Sequence, residues 1–210
     1  MEKIGGNVNI VKKIVITGGI ASGKTTVCRI LKRERGVYQL DSDKVIHWLL
    51  SEDQPTIRQI VRVLGSKVLS DGKIDRTRVA AIVFADEKKL KALEEFLHPK
   101  LLEIVMQRYR RLLELGRYKF FFVEMALVQE KGKEAFFNNT VSVLCDEARA
   151  RQRSALSKQE YEMRMKYQWP IEKKAVYADY IITNNGSMQE LEKDVLDFFE
   201  TLKTQENISQ

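Results

Sequence analysis

Apolar and polar residues change rhythm twice along this chain of 210 residues. Lys13–Thr17 is a short β-branched run halted by Gly18-Gly19, which predicts a buried strand. Residues 23–34 place apolar side chains at helical spacing, Val37–Asp41 predicts a second strand, and a helix follows at 43–50. From Pro55 to Leu115 helical periodicity takes over, broken at Gly65, Asp71-Gly72 and His98-Pro99 and without a strand signal. Helices are expected over 55–64, 75–84, 87–96 and 99–115. Strand character returns at Tyr118–Val123, Thr140–Cys145 and Tyr180–Thr183, with helices between them and a last helix near 187–203. Residues 1–11 read as a loose extension and the tail beyond Lys203 as frayed.

Strands separated by helices imply a parallel sheet covered on both faces. The fold class is therefore α/β, with an all-helical insertion after the second strand. The expected organisation is a core of 12–50 plus 117–205, an insertion at 51–116 and the extension at 1–11. Ligands of such sheets bind beyond the carboxyl ends of the strands. That edge would carry Thr17, Asp41 to Asp43, Glu124 and Asp146.

Composition narrows the classes. Three Pro and eleven Gly are too few for a disordered or fibrous chain. Cys28 and Cys145 cannot make a disulfide framework and suggest a reducing compartment, and no Cys/His cluster has zinc-ligand spacing. No apolar stretch reaches membrane-spanning length and no apolar run near the N-terminus precedes a cleavage site, so a cytoplasmic protein without a membrane partner is expected. The net charge of +7 admits nucleic acid, nucleotides or other phosphorylated small molecules. The basic residues are spread without interleaved aromatics, so no nucleic acid partner is expected. A monomer is favoured.

The most specific signal is Gly18-Gly19-Ile20-Ala21-Ser22-Gly23-Lys24-Thr25, a full match to G-x-x-x-x-G-K-S/T between a strand and a helix. Glycines let the backbone curl so that several N–H groups face one anion, and the following helix adds the positive end of its dipole. Gly19, Ile20, Ala21, Ser22, Gly23, Lys24, Thr25 and Thr26 are assigned to the nucleotide. Lys24 reaches the β- and γ-phosphates, and the Thr25 hydroxyl is the expected Mg²⁺ ligand. The chain lacks an N-K-x-D guanine signature and a second ATPase-like segment, and the long helical insertion is where a small-molecule kinase would place its acceptor site.

Such a kinase needs a carboxylate to orient the acceptor hydroxyl and take its proton. Asp41 and Asp43 follow the second strand, and on an extended segment they would face opposite ways. Asp43 also begins a helix, so it is either an N-cap or the base; beside the phosphate loop the base is favoured. Arg149 and Arg153 share a helix face at i, i+4, which suits a solvated basic helix or a phosphate clamp. Ser157-Lys158-Gln159-Glu160 reads as a capping box opening a second helix, and the two helices make a lid over about 147–170.

Thr17 to Thr26 followed by Asp41-Ser42-Asp43 resembles the opening of bacterial dephospho-coenzyme A kinases. Asp75-Arg76 with Ile82-Val83-Phe84, then Leu97-His98-Pro99, then Gln168-Trp169-Pro170, Glu172-Lys173, Ala178-Asp179 and Asn184-Asn185-Gly186 continue the likeness in order over roughly residues 13 to 200. The resemblance implies a P-loop kinase core, a helical substrate-binding domain and a mobile lid. It implies ATP-dependent phosphorylation of the ribose 3′-hydroxyl of dephospho-coenzyme A, the last step of coenzyme A synthesis. It makes Asp43 the base and carries Arg149 and Arg153 onto lid arginines. Arg151 is left out, and Asp41, Arg76 and His98 are assigned to the substrate, His98 with an equal claim to a structural role. The family commonly has Gly where this chain has Ala21, which alanine tolerates if φ stays negative. Glu124-Met125-Ala126-Leu127 replaces the usual Asp-x-Pro-Leu, and Glu124 keeps a carboxylate one methylene longer. The stretch between Cys145 and Arg149 is shorter than usual. A nucleoside-monophosphate or other small-hydroxyl kinase is the nearest rival, and a non-catalytic nucleotide or nucleic-acid binder is a rival of another class.

Overall fold

A computed structural model describes residues 10–208 of the chain. In order, the elements are β1 (Lys12–Gly18), α1 (Lys24–Leu31), β2 (Val37–Asp41), α2 (Ser42–Ser51), α3 (Gln54–Leu64), β3 (Leu69–Ser70), β4 (Lys73–Ile74), α4 (Arg76–Ala85), α5 (Glu87–Leu115), β5 (Phe120–Glu124), β6 (Asn139–Leu144), α6 (Glu147–Arg153), α7 (Lys158–Met165), α8 (Ile171–Val176), β7 (Tyr180–Thr183) and α9 (Met188–Ile208). They form two units, one of residues up to 40 and from 109 onward, the other Asp41–Arg108.

The first unit is built on a five-stranded sheet of order β2-β5-β1-β6-β7. β1 runs parallel to β5 and β6, and β6 parallel to β7. Side chains alternate across a strand. Ile14, Ile16, Phe120, Phe122, Val141 and Val143 join one core with Val27, Ile30 and Leu31 of α1 and Leu191, Val195, Phe199 and Leu202 of α9. Val15, Phe121 and Val123, on the alternate positions, are just as buried. A parallel sheet covered on both faces reads as such continuous apolar runs. Each of these side chains contributes about 1.5–3 kcal/mol by leaving water. Val11, assigned from sequence to the extension, is buried, and residues 1–9 of that extension lie outside the described residues. α9 runs on to Ile208 instead of fraying at Lys203, and the Tyr180 hydroxyl donates to Gln205 Oε1 at 2.5 Å.

The second unit packs Leu49 and Leu50 of α2 with Ile60, Leu64, Val68, Val79, Val83, Leu93 and Leu97. Those contacts group α2 with the insertion rather than with the core. Two sequence expectations fail here. Asp71-Gly72 is not merely a helix break: both residues have positive φ, 51° and 76°, as a tight hairpin turn of Asp-Gly type demands. It joins β3 to β4 with Leu69 opposite Ile74. The two-residue strands are too short to show alternation. His98-Pro99 does not break the helix either, because α5 is continuous with Pro99 inside it. Proline removes one hydrogen bond and crowds the preceding turn, at a cost of about 3 kcal/mol. Burial of Leu93, Leu97, Leu101 and Val105 on either side outweighs that.

Candidate phosphate-binding and phosphotransfer site

The loop between β1 and α1 is closed on itself. The Ser22 amide donates to Gly19 O at 3.3 Å, and the Thr26 and Val27 amides to Gly23 O at 2.9 and 3.0 Å. Gly23 caps α1 with φ 102°, no side chain occupies the cap, and no acidic residue stands in the first turn. The positive end of the helix therefore faces the loop with no acidic residue of its own first turn against it. A β-carbon on Gly23 would lie 2.2 Å from Asn184 Nδ2, so only glycine fits. That same Asn184 amide donates to Ser22 O at 2.8 Å, tying the loop to the end of β7. The Lys24 ammonium is drawn back over the loop, donating to Gly18 O at 3.2 Å and Gly19 O at 2.7 Å. The Thr25 hydroxyl donates to Glu124 Oε1 at 2.6 Å.

A cavity of about 400 Å³ opens beside the loop, lined by Lys24, Thr25 and Thr26 of α1 together with Gly186, Met188 and Leu191. Arg153 lines it as well, donating to Asn184 O at 3.1 Å and Cys145 Sγ at 3.6 Å. Burial pushes the Cys145 thiol up, with Arg153 opposing. Arg149 is instead in an exposed ion pair with Asp146 at 3.9 Å. Arg151 lies over the Tyr161 ring, 5.3 Å from its centroid, on a different side of α6 from the cavity-lining Arg153. The capping box of α7 is formed: Glu160 Oε2 accepts from the Ser157 amide at 3.0 Å and its own amide donates to Ser157 Oγ at 3.3 Å. The Ser157 hydroxyl, which donates to Glu160 Oε2 at 2.7 Å, and with it the Ser157 amide hold the Glu160 carboxyl below the usual carboxylate range.

In the second unit, Asp41 is the N-cap of α2, its Oδ1 accepting from the amides of Asp43 at 3.0 Å and Lys44 at 3.2 Å. Asp43 follows inside the first helical turn, exposed, with its carboxylate in no hydrogen bond or ion pair among the described residues. Arg76 Nη1 donates to His47 Nδ1 at 3.4 Å, and Asp75 caps α4. His98 is half-buried within α5.

A family model described as dephospho-CoA kinase matches residues 12–190. The chain belongs to the dephospho-CoA kinase family. A dephospho-CoA kinase from Aquifex aeolicus is 37% identical over 195 residues, covering 91% of this chain and 97% of the relative. One from Protochlamydia amoebophila is 34% identical over 197 residues, covering 91% and 97%. A solved dephospho-CoA kinase from Campylobacter jejuni superposes with a TM-score of 0.69 at 28% identity, over 92% of this chain and 98% of that one.

Within the family frame three sequence expectations change. Ala21 has φ 52°, in the left-handed region, where a negative φ was expected of a residue replacing the family's glycine. Asp41 and Asp43 do not alternate on an extended segment, because the strand ends at Asp41 and Asp43 is already helical. The capping role considered for Asp43 belongs to Asp41, whose carboxylate is thereby engaged.

Sequence reasoning missed Asn184 as the loop's clamp, Glu124 as the partner of Thr25, and His47 beside Arg76. The first two stand at the carboxyl ends of β7 and β5, the edge that the fold class marks for ligands. It also missed Lys174, a fully buried lysine paired with Glu130 at 2.7 Å. Desolvation pulls the Lys174 ammonium below the usual lysine range, with Glu130 opposing. Nothing in the local pattern Glu172-Lys173-Lys174 marks one lysine as buried.

Thr25 and Glu124 offer hard oxygen donors side by side, which suits Mg²⁺. Among the described residues no group of three or more His, Cys, Asp or Glu is placed to hold an ion.

Proposed function

We propose that this protein transfers the γ-phosphoryl group of ATP to the ribose 3′-hydroxyl of dephospho-coenzyme A, giving coenzyme A and ADP. The observation that carries the reading is the complete phosphate loop in a chain of this family, its hydroxyl-bearing Thr25 held against Glu124 at 2.6 Å. The loop amides and the N-terminus of α1 bind the phosphates, and Lys24 neutralises the β/γ bridge as its oxygen leaves. Thr25 and Glu124 would hold Mg²⁺, which when bound offsets phosphate charge. The part of the cavity lined by Met188 and Leu191 takes the base and ribose. Asp43 accepts the proton of the 3′-hydroxyl as that oxygen bonds to the γ-phosphorus. Asp41 holds the first turn of α2 and so the place of Asp43. Arg153 meets the phosphates from the cavity wall, Arg149 joins it when the α6–α7 lid closes, and the lid keeps water from the transfer. Arg76, steadied by His47, and His98 contribute to the acceptor site.

The test is ADP release across a panel of acceptors, with the phosphorylated product identified by mass. Dephospho-coenzyme A should be preferred and the product should carry phosphate at the 3′ position. Preferred turnover of a nucleoside monophosphate or another small alcohol would refute the reading.

A further inference from the structure

Lys174 and Glu130 form a charged pair out of water, at 0% and 5% side-chain exposure. Lys174 Nζ lies 2.7 Å from Glu130 Oε1, and it donates to Ala126 O at 2.8 Å and to Thr17 Oγ1 at 3.5 Å. Three N–H donors meet three acceptors. The Thr17 hydroxyl donates to the same Ala126 carbonyl at 2.9 Å. Glu130 Oε1 also accepts the Trp169 amide at 2.8 Å, and Gln129 Nε2 donates to Lys174 O at 3.0 Å.

A buried ion pair rarely adds stability over an apolar pair of the same volume, so this arrangement is better explained by what it fixes. Thr17 immediately precedes the phosphate loop. Ala126 lies two residues beyond Glu124, which receives the Thr25 hydroxyl. Trp169 and Lys174 belong to the segment that leaves α7. We propose that Lys174 is a positioning residue for phosphoryl transfer. Its ammonium sets the loop that presents Glu124 to Thr25, and with Glu130 it roots the α6–α7 lid on that loop. The inference rests on the kinase reading above.

The test pairs stability with nucleotide handling. Lys174→Met alone leaves Glu130 buried and unpaired and should unfold at a much lower temperature. Lys174→Met with Glu130→Leu removes both charges at similar volume and should regain most of the thermal midpoint. The hydrogen bonds to Ala126, Thr17 and Trp169 are still lost in it. Its Mg·ATP affinity by calorimetry and its kcat should therefore stay about tenfold to a hundredfold below wild type, the range for partners that orient ligating groups. Recovery of affinity and kcat together with the midpoint would overturn the proposal. Should the double variant fail to fold, Thr17→Val decides, since it keeps the ion pair and removes the hydroxyl link. Measured where that variant is still folded, a loss of about tenfold or more in Mg·ATP affinity supports positioning, and a smaller one refutes it. A wild-type chain that binds Mg·ATP yet does not phosphorylate dephospho-coenzyme A would sink the kinase reading alone, leaving the positioning claim to be judged on affinity.

Discussion

Replacing Asp43 by asparagine removes a basic oxygen and almost no volume. The carboxylate does not cap α2, since the cap is Asp41, and it is exposed. The folded state therefore loses little more than a charge near a helix N-terminus, about 0.3–1 kcal/mol. If Asp43 takes the acceptor proton, kcat should fall by roughly a hundred- to ten-thousandfold, which is about 3–5 kcal/mol of barrier. Asp41 supplies the control. Asparagine caps about as well as aspartate, so Asp41→Asn should change stability and rate little, whereas Asp41→Ala should cost about 1 kcal/mol of stability and part of the rate through a loosened first turn. The assay is kcat with dephospho-coenzyme A at saturating Mg·ATP for all three variants, alongside ATP affinity and thermal midpoint. An Asp43→Asn enzyme that keeps more than about a tenth of wild-type kcat lies outside the general-base range and refutes the assignment. A folded but inactive Asp41→Asn beside it would move the base to the other carboxylate.

Lys24→Ala should weaken ATP binding by about tenfold to 150-fold, the equivalent of losing a charge-assisted contact of roughly 1.5–3 kcal/mol; unchanged affinity in calorimetry would remove Lys24 from the site. Arg153 lines the cavity while Arg149 sits in an exposed ion pair, so Arg153→Ala should lower kcat/KM more than Arg149→Ala at equal thermal midpoints, and the reverse order would relocate the clamp. Asp53, the N-cap of α3, has its carboxyl held below the usual range mainly by the Thr56 hydroxyl, and also by the Thr56 amide and Lys100, against desolvation. A depressed carboxyl contributes stability that is complete above its unfolded value and lost as pH falls through the folded one. The midpoint advantage of wild type over Asp53→Asn should accordingly shrink as pH is lowered from about 5 to 2, and a constant difference would contradict the linkage.

What the sequence disclosed depended on how local the determinant is. Strands such as Lys12–Gly18 and Phe120–Glu124 carry their burial in β-branched and aromatic runs, and the phosphate loop is written in eight consecutive residues. Asp71-Gly72 was visible as a break in helical periodicity, yet whether it closes a hairpin depends on Leu69 meeting Ile74 across it. Pro99 was visible as a helix breaker, yet the buried leucines on both sides decided otherwise. Asp41 and Asp43 were both legible as candidates, but their division into cap and exposed carboxylate turned on where β2 stops, a difference of one residue. The Thr25–Glu124 pair spans 99 positions and the Asn184–Ser22 clamp spans 162. Nothing in a local window reports contacts of that separation.

The left-handed Ala21 makes sense only through those distant contacts. A non-glycine residue there costs about 1–2 kcal/mol, and such strain persists where the surroundings over-determine the backbone. Here they do. A β-carbon on Gly18 would meet Val143 O at 2.3 Å, so β6 fixes the entrance to the loop. At its exit Asn184 grips Ser22 O, with Gly23 fitted beneath the same amide. Between them the Ser22–Gly19 bond and the Lys24 ammonium on Gly18 and Gly19 close the turn. Ala21 is left the one conformation that joins two pinned ends. Alanine has fewer unfolded conformations to lose than glycine, worth about 0.4–1 kcal/mol, but at a positive φ the strain exceeds that gain, so Ala21 is a net cost. The loop is thus held by contacts from β6 on one side and the end of β7 on the other, and the Lys174 network reaches Thr17, the residue from which the loop departs.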